Sequence, residues 1–129
     1  MPRKFDQREF VNYLLPIIVY AILIFIASSI PSSKLDFIKD ISDFLLHMLE
    51  YAVLGFLVAR FFLNRPGKTL FLFLMALLLS IIYGATDEIH QLFTPGRDCS
   101  VLDFFADSIG TVFGAGIYYI IFRYNSRKE

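Results

Sequence analysis

The stretch "YGATDEIHQLFTPGRDCSVLDFFADSIG", from Tyr83 to Gly110, decides how the fold of this chain is interpreted. It holds five acidic residues, a histidine, an arginine and a Pro-Gly pair, and it lies between two strongly apolar runs. A polar turn of this kind is expected outside the hydrocarbon core, where water can satisfy its backbone. We therefore predict that the chain turns at Thr94-Pro95-Gly96, between two membrane-crossing helices.

The composition on both sides of this stretch is that of a membrane protein. Of the 129 residues, 57% are hydrophobic and 17% aromatic, and the mean hydropathy of +0.61 lies above that of an ordinary globular domain. A helix rises about 1.5 Å per residue, so about 20 apolar residues cross a bilayer core. We predict an all-α membrane protein, a compact bundle of four transmembrane helices at roughly 10–30, 41–63, 69–93 and 101–123, forming a single domain over residues 1–129.

The formal net charge is zero, but the basic residues are unevenly distributed along the chain. Nine of the twelve fall on the side of the predicted bundle that holds both termini: Arg3, Lys4, Arg8, Arg60, Arg65, Lys68, Arg123, Arg127 and Lys128. The positive-inside rule then predicts a multi-pass plasma membrane protein with cytoplasmic N- and C-termini, which puts the Tyr83–Gly110 stretch at the extracytoplasmic face.

Two further readings concern the N-terminal run and the cysteine. The first apolar run, followed by "ASSIPSS", also has the pattern of a cleaved signal peptide, although its length favours a retained span. Cys99 is the only cysteine, which excludes an intrachain disulfide and a thiolate metal cluster.

Polar residues in the second span share one helix face. Asp43, His47 and Glu50 fall at i, i+4 and i+7. An ionised side chain at the depth of Glu50 costs on the order of 3 kcal/mol or more in lipid. Glu50 is therefore expected to face protein, and it is our candidate general acid or base.

The third and fourth spans repeat this pattern. Tyr83, Asp87 and Gln91 fall at i, i+4 and i+8, with Glu88 beside them. In the fourth span the acidic face of Asp103 and Asp107 continues into a Gly-x-x-x-Gly face at Gly110 and Gly114, a pattern that lets helices approach closely. The acids should therefore point inward.

Carboxylates from three spans are thus expected to converge in one hollow that opens to the extracytoplasmic side, with Arg97 as their counter-ion. The candidate catalytic residues are His47, Glu50, Asp87 and Glu88. The candidate metal ligands are Glu50, Asp87, Glu88 and Asp103, and a cofactor, if bound, would be a hard divalent cation such as Mg²⁺, Mn²⁺ or Ca²⁺.

The segments "DFLLHMLEYAVLG" and "DEIHQLFTPGRDCSVLDFFADSIG" resemble the two signature regions of the VanZ-like family, small membrane proteins named for a teicoplanin-resistance accessory protein. The first resembles H-x-x-x-Y-x-x-L-G, and the second resembles D-E-x-x-Q-x-F-x-P-G-R-x-x-S-x-x-D-x-x-x-N-x-x-G. The matching positions are His47, Tyr51, Leu54, Gly55, Asp87, Glu88, Gln91, Phe93, Pro95, Gly96, Arg97, Ser100, Asp103 and Gly110. Asp107 departs from the pattern, because asparagine is usual there.

The resemblance implies a four-helix membrane protein with an envelope-associated role, linked in the namesake to lowered susceptibility to glycopeptides that bind peptidoglycan precursors. Together with the helix faces, it gives the candidate binding residues Tyr51, Gln91, Arg97, Ser100, Asp103 and Asp107.

Three functions remain open on the sequence. The first is an envelope protein that binds membrane lipid headgroups, a lipid-linked cell-wall precursor or another envelope protein, and no nucleic acid. The second is an intramembrane metal-dependent hydrolase or transferase acting on a phospholipid or lipid-linked phosphate. The third is a purely structural polar clip between helices. A proton pathway along Asp43, His47 and Glu50 is disfavoured, since no polar residues continue it in the cytoplasmic halves of the spans.

Overall fold

The computed structural model describes residues 6–31 and 43–128. These residues form helices and connecting turns without any strand, and four of the helices are long and apolar enough to cross a membrane. They are α1 (Gln7–Ser28), α2 (Asp43–Leu63), α3 (Thr69–Gln91) and α4 (Val101–Asn125). The predicted all-α membrane fold is confirmed. The predicted link between the first two spans lies outside the described residues.

The four helices alternate in direction, which gives the bundle two distinct ends. At the Arg97 end, α1 and α3 finish and α2 and α4 begin. At the opposite Arg65 end, Arg65 Nη1 forms an ion pair with Glu9 Oε2 at 3.2 Å. Every polar candidate residue predicted from the sequence belongs to the half of the bundle nearer the Arg97 end.

Helix α1 contains a π-helical turn at Phe10–Leu14, immediately before Pro16. The helix begins at Gln7, earlier than predicted, and Asp6 caps it by accepting a hydrogen bond from the Glu9 amide at 2.8 Å. Pro16 therefore lies inside the helix, where it offers no N–H and its ring crowds the carbonyl four residues earlier. The wider π turn accommodates this defect locally.

Helices α2 and α4 form the closest contact in the bundle. Gly110 faces the Met48 carbonyl and Gly114 faces the Ala52 carbonyl, at separations that leave no room for a Cβ atom. The absence of a side chain lets the two backbones touch, as in other small-residue helix contacts in membranes. The predicted Gly-x-x-x-Gly face therefore packs within one chain and sets the rotation of α4 against α2.

Helix α1 lies at the periphery of the bundle. In its most apolar 18-residue window only 6% of residues are buried, against 33% in α2 and in α4. Its main chain accepts a hydrogen bond from the Tyr83 hydroxyl at Ala21 (2.6 Å), and its Tyr20 hydroxyl donates to the Glu50 carbonyl at 3.1 Å. The interior is thus built mainly by α2, α3 and α4, while large apolar side chains cover the outside.

Candidate functional site

Three helices bring one histidine and two carboxylates together near the Arg97 end. His47 Nδ1 lies 3.0 Å from Asp107 Oδ1 and 3.8 Å from Glu88 Oε1, and all three side chains are buried. We call His47, Glu88 and Asp107 the central trio. Counting residues from the helix ends at about 1.5 Å each, the trio lies about 5 to 9 Å inside the bundle.

The orientation of Glu88 is fixed by the start of α4. Ser100 caps this helix, because its Oγ accepts a hydrogen bond from the Asp103 amide at 3.2 Å. In a full capping box the third residue of the helix would bond back to the Ser100 amide. Here Glu88 Oε2 accepts that N–H at 2.9 Å instead, and its other oxygen is left to face His47.

The trio sits among further buried polar side chains from the same helices. Tyr51, Asp87 and Thr111 are each at most 4% exposed, and together with the trio they form what we call the polar cluster. Five side-chain oxygens of this cluster have no hydrogen-bond partner within the part of the chain that the structure describes: Tyr51 Oη, Asp87 Oδ1, Glu88 Oε1, Asp107 Oδ2 and Thr111 Oγ1.

Thr111 was not singled out by the sequence analysis. It follows Asp107 by four residues and is fully buried. The helical spacing that predicted an inward face for Asp103 and Asp107 also includes Thr111. Thr111 could therefore have been predicted as a buried polar residue, because its hydroxyl lies on the same helix face as the two acids.

Gly84 leaves a small space beside Asp107. A Cβ atom at this position would lie 3.2 Å from Tyr51 Cε1 and 3.3 Å from Asp107 Oδ2. The Tyr51 ring and the unpartnered Asp107 oxygen therefore border the same space, which any larger residue at position 84 would reduce.

Arg97 lies in the α3–α4 turn as predicted, but its contacts among the described residues differ from the prediction. Its guanidinium group points to the Ala27 and Ile30 carbonyls, both at 3.5 Å, instead of pairing with a carboxylate of the described residues. Thr94 adds a bond from its Oγ1 to the Ser28 carbonyl at 3.2 Å. A helix presents unpaired carbonyls and partial negative charge at its C-terminus. The α3–α4 turn therefore caps α1, while the charge of Arg97 also acts on Glu50, one of the predicted acids, without a direct ion pair.

The remaining candidates surround the trio. Gln91 is buried, and its Nε2 lies 3.5 Å from Asp87 Oδ2. Glu50 and Asp103 are only half-buried. Among the described residues, the group whose ligand atoms lie within 4.8 Å of one another consists of His47, Glu88 and Asp107.

Of the metal ligands predicted from the sequence, Glu88 belongs to this group together with His47 and Asp107, while Glu50, Asp87 and Asp103 lie outside it. For Asp103 the reason is its position along the helix. Asp103 belongs to the first turn of α4, whereas Asp107, one turn further in on the same face, faces α2 where the two backbones approach.

An apolar groove of about 240 Å³ lies between α1, α2 and α3. Residues of α1, α2 and α3 line it, among them Ile17, Leu54, Val58 and Tyr83. The Tyr83 ring lies 6.4 Å, centroid to centroid, from the ring of Tyr51. The groove and the polar cluster therefore meet where Tyr83 of the groove faces Tyr51 of the cluster.

Four membrane-crossing helices around buried acids and a histidine define a class, the polytopic membrane proteins with a polar site inside the bundle. Within that class the chain belongs to the VanZ/LLP1 family, whose model matches residues 10–123. The match confirms the resemblance seen in the two motifs and extends it to all four helices. Comparison with curated proteins and with solved structures gave no match.

Proposed function

We propose that this chain is an envelope protein of the plasma membrane whose polar cluster binds the headgroup of a membrane lipid or of a lipid-linked cell-wall precursor. Binding takes place on the extracytoplasmic side and modulates susceptibility to glycopeptides such as teicoplanin. The family resemblance supplies the link to the envelope, and the polar cluster supplies the binding site.

The five unpartnered oxygens of the polar cluster carry this proposal. A buried polar group without a hydrogen bond costs about 1 to 3 kcal/mol, and a membrane interior offers no water to relieve that cost. A clip that only held the helices together would pair its own groups. Oxygens that remain free after the helices have packed are suited to a ligand.

The charge of the region limits what that ligand can be. Glu50, Asp87, Glu88, Asp103 and Asp107 lie in this half of the bundle, and Arg97 is directed to α1. Such an excess of carboxylates repels a bare anion. The matching headgroup carries an amine, or is a phosphate accompanied by a cation.

The apolar groove supports a ligand that also has an acyl chain. It begins beside Tyr83, next to the polar cluster, and is lined by apolar side chains such as Ile17, Leu54 and Val58. A headgroup in the cluster would place its chain within reach of this groove. Most ligand sites combine an apolar lining with a few oriented polar groups in the same way.

Native mass spectrometry of gently extracted protein tests the proposal. We expect a lipid or lipid-linked species to remain bound to the wild-type chain, and its occupancy to fall at least about tenfold, about 1.4 kcal/mol, in Asp87→Asn. Asp98→Asn is the matched control, because Asp98 is an exposed acid in the turn at the same end. Equal occupancy in both variants, or no retained species in the wild type, would contradict lipid binding at this site.

A second function is favoured by one observation, the contact between His47 Nδ1 and Asp107 Oδ1 at 3.0 Å beside Glu88. A histidine oriented by a carboxylate can act as a general base, so hydrolysis or transfer on a phospholipid or lipid-linked phosphate is the alternative. Reconstituted protein that releases phosphate or headgroup from such lipids, and loses this activity in His47→Gln, would favour the enzyme. Retention without turnover would favour the binding protein.

A further inference from the structure

We propose that the central trio is a metal site, in which His47 Nδ1, Glu88 Oε1 and the Asp107 carboxylate hold a divalent transition-metal ion such as Mn²⁺ or Zn²⁺. This goes beyond the proposed function, since the trio can take up a metal whether or not a lipid is bound. The bound ion would also offset part of the negative charge of the surrounding carboxylates.

The spacing of the three side chains suits a metal. Nitrogen and oxygen ligands lie about 2.0 to 2.2 Å from Zn²⁺, so neighbouring ligand atoms around one ion are about 3 to 4 Å apart. The distances from His47 Nδ1 are 3.0 Å to Asp107 and 3.8 Å to Glu88. One ligand atom from each residue lies within 4.8 Å of the other two.

The free oxygens of the trio are a second, independent observation. Asp107 is fully buried and Glu88 is 2% exposed, yet Asp107 Oδ2 and Glu88 Oε1 lack hydrogen-bond partners among the described residues. The other oxygen of Glu88 is held by the Ser100 amide at 2.9 Å. An outer contact of this kind fixes the orientation of a ligating carboxylate.

The charge of the complex favours a doubly charged ion. Two carboxylates balance the charge of one divalent cation, and neutral imidazole adds none. A neutral complex inside the bundle avoids the large cost of burying an unpaired charge. The same ion would relieve the repulsion between Glu88 and Asp107.

The mixture of ligands selects the class of metal. Ca²⁺ takes six to eight oxygen ligands, and Mg²⁺ usually keeps several waters beside one or two carboxylates. Imidazole suits zinc and other transition metals, and carboxylates suit Mn²⁺. One imidazole and two carboxylates therefore fit Mn²⁺ or Zn²⁺ better than Mg²⁺ or Ca²⁺. Three protein ligands also leave a position open, as in catalytic zinc sites.

Titration of metal-stripped protein with Mn²⁺ alone, followed by electron paramagnetic resonance, tests the site. We expect saturable binding of one Mn²⁺ per chain, with a nitrogen coupling from His47 that disappears in His47→Gln. Asp107→Asn keeps the side-chain shape and removes one charge, so the dissociation constant should rise at least about tenfold, whereas Asp98→Asn should bind as the wild type does. Far-ultraviolet circular dichroism and gel filtration establish that each variant is folded.

Three results would overturn the metal site: no saturable binding, binding without a nitrogen coupling, or equal weakening in Asp98→Asn and Asp107→Asn. Failure here is separate from failure of the proposed function. A chain that retains lipid in native mass spectrometry but takes up no Mn²⁺ keeps the lipid site and loses the metal. A chain that takes up Mn²⁺ but retains no lipid would support the metal site and contradict lipid binding.

Discussion

Asp107 combines a fully buried carboxylate with one satisfied and one free oxygen. Oδ1 contacts His47, while Oδ2 has no hydrogen-bond partner in the described segments and borders the space left by Gly84. Such a residue weakens the bundle unless something binds to it, because its desolvation is only partly repaid. Its surroundings therefore offer the sharpest single-residue tests.

Gly84→Ala should block the site sterically without removing any charge. The added methyl group would lie 3.2 Å from the Tyr51 ring and 3.3 Å from Asp107 Oδ2, tight contacts that force these groups to move. We expect lipid occupancy in native mass spectrometry to fall at least about tenfold.

The control for this variant is Gly116→Ala, because a Cβ atom on Gly116 meets nothing within 4 Å. It should retain lipid at the wild-type level. If Gly84→Ala retained lipid equally well, the space beside Asp107 would not be part of the ligand site.

The sequence predicted the individual polar residues better than their contacts. Helical spacing predicted that His47 and Asp107 face inward, and the motifs of the family included His47 and Glu88. The contact of His47 with Asp107 depends on how α2 is rotated against α4, which is set by backbone contacts at Gly110 and Gly114. Spacing within one helix carries no information about that rotation.

At the scale of the helices, the α2–α4 contact holds the central trio in place. Gly114→Ala places a methyl group against the Ala52 carbonyl, two turns beyond Asp107. Overpacking of this kind typically costs about 1 to 3 kcal/mol. Thermal unfolding in detergent should show a clear loss of stability, while Gly116→Ala should unfold like the wild type. Equal stability of the two variants would contradict the close contact.

Arg97 illustrates an interaction between elements that the sequence could not reveal. Its position among acids suggested a counter-ion, but the carbonyls of α1 become its acceptors only once α1 and the α3–α4 turn are in place. Arg97→Ala should lower the free energy of unfolding by about 1 kcal/mol, through loss of a helix cap.

A double mutant separates capping from charge neutralisation. If Arg97 caps α1, adding Glu50→Gln to Arg97→Ala should give effects that sum to within about 0.5 kcal/mol. If Arg97 served to neutralise the half-buried Glu50, removing that acid would rescue the Arg97→Ala variant. Chemical unfolding of the two single variants and the double variant measures the difference.

At the scale of the whole molecule, the proposed role predicts a phenotype. Expression in a glycopeptide-susceptible host should lower teicoplanin susceptibility, and Asp87→Asn should restore it at equal membrane levels, because the buried Asp87 belongs to the polar cluster. Asp98→Asn should behave as the wild type. A loss of phenotype that merely followed the membrane level of each variant would favour a structural role for Asp87.

The four spans were predictable because hydropathy and span length are properties of the local sequence, and the observed helix ends lie within three residues of the prediction where the structure describes them. The prediction that the Arg97 end lies on the extracytoplasmic side depends only on the distribution of basic residues. That orientation decides whether the site can meet an extracytoplasmic headgroup.

Labelling of Cys99 in intact cells with a membrane-impermeant maleimide tests the orientation of the chain most directly. Cys99 is exposed in the turn at the Arg97 end and is the only cysteine in the chain. We predict that it reacts from outside, whereas a cysteine introduced as Asn125→Cys in a Cys99→Ser background reacts only after the cells are permeabilised. Protection of Cys99 in intact cells, with labelling of position 125 from outside, would place the polar cluster at the cytoplasmic face and contradict the account.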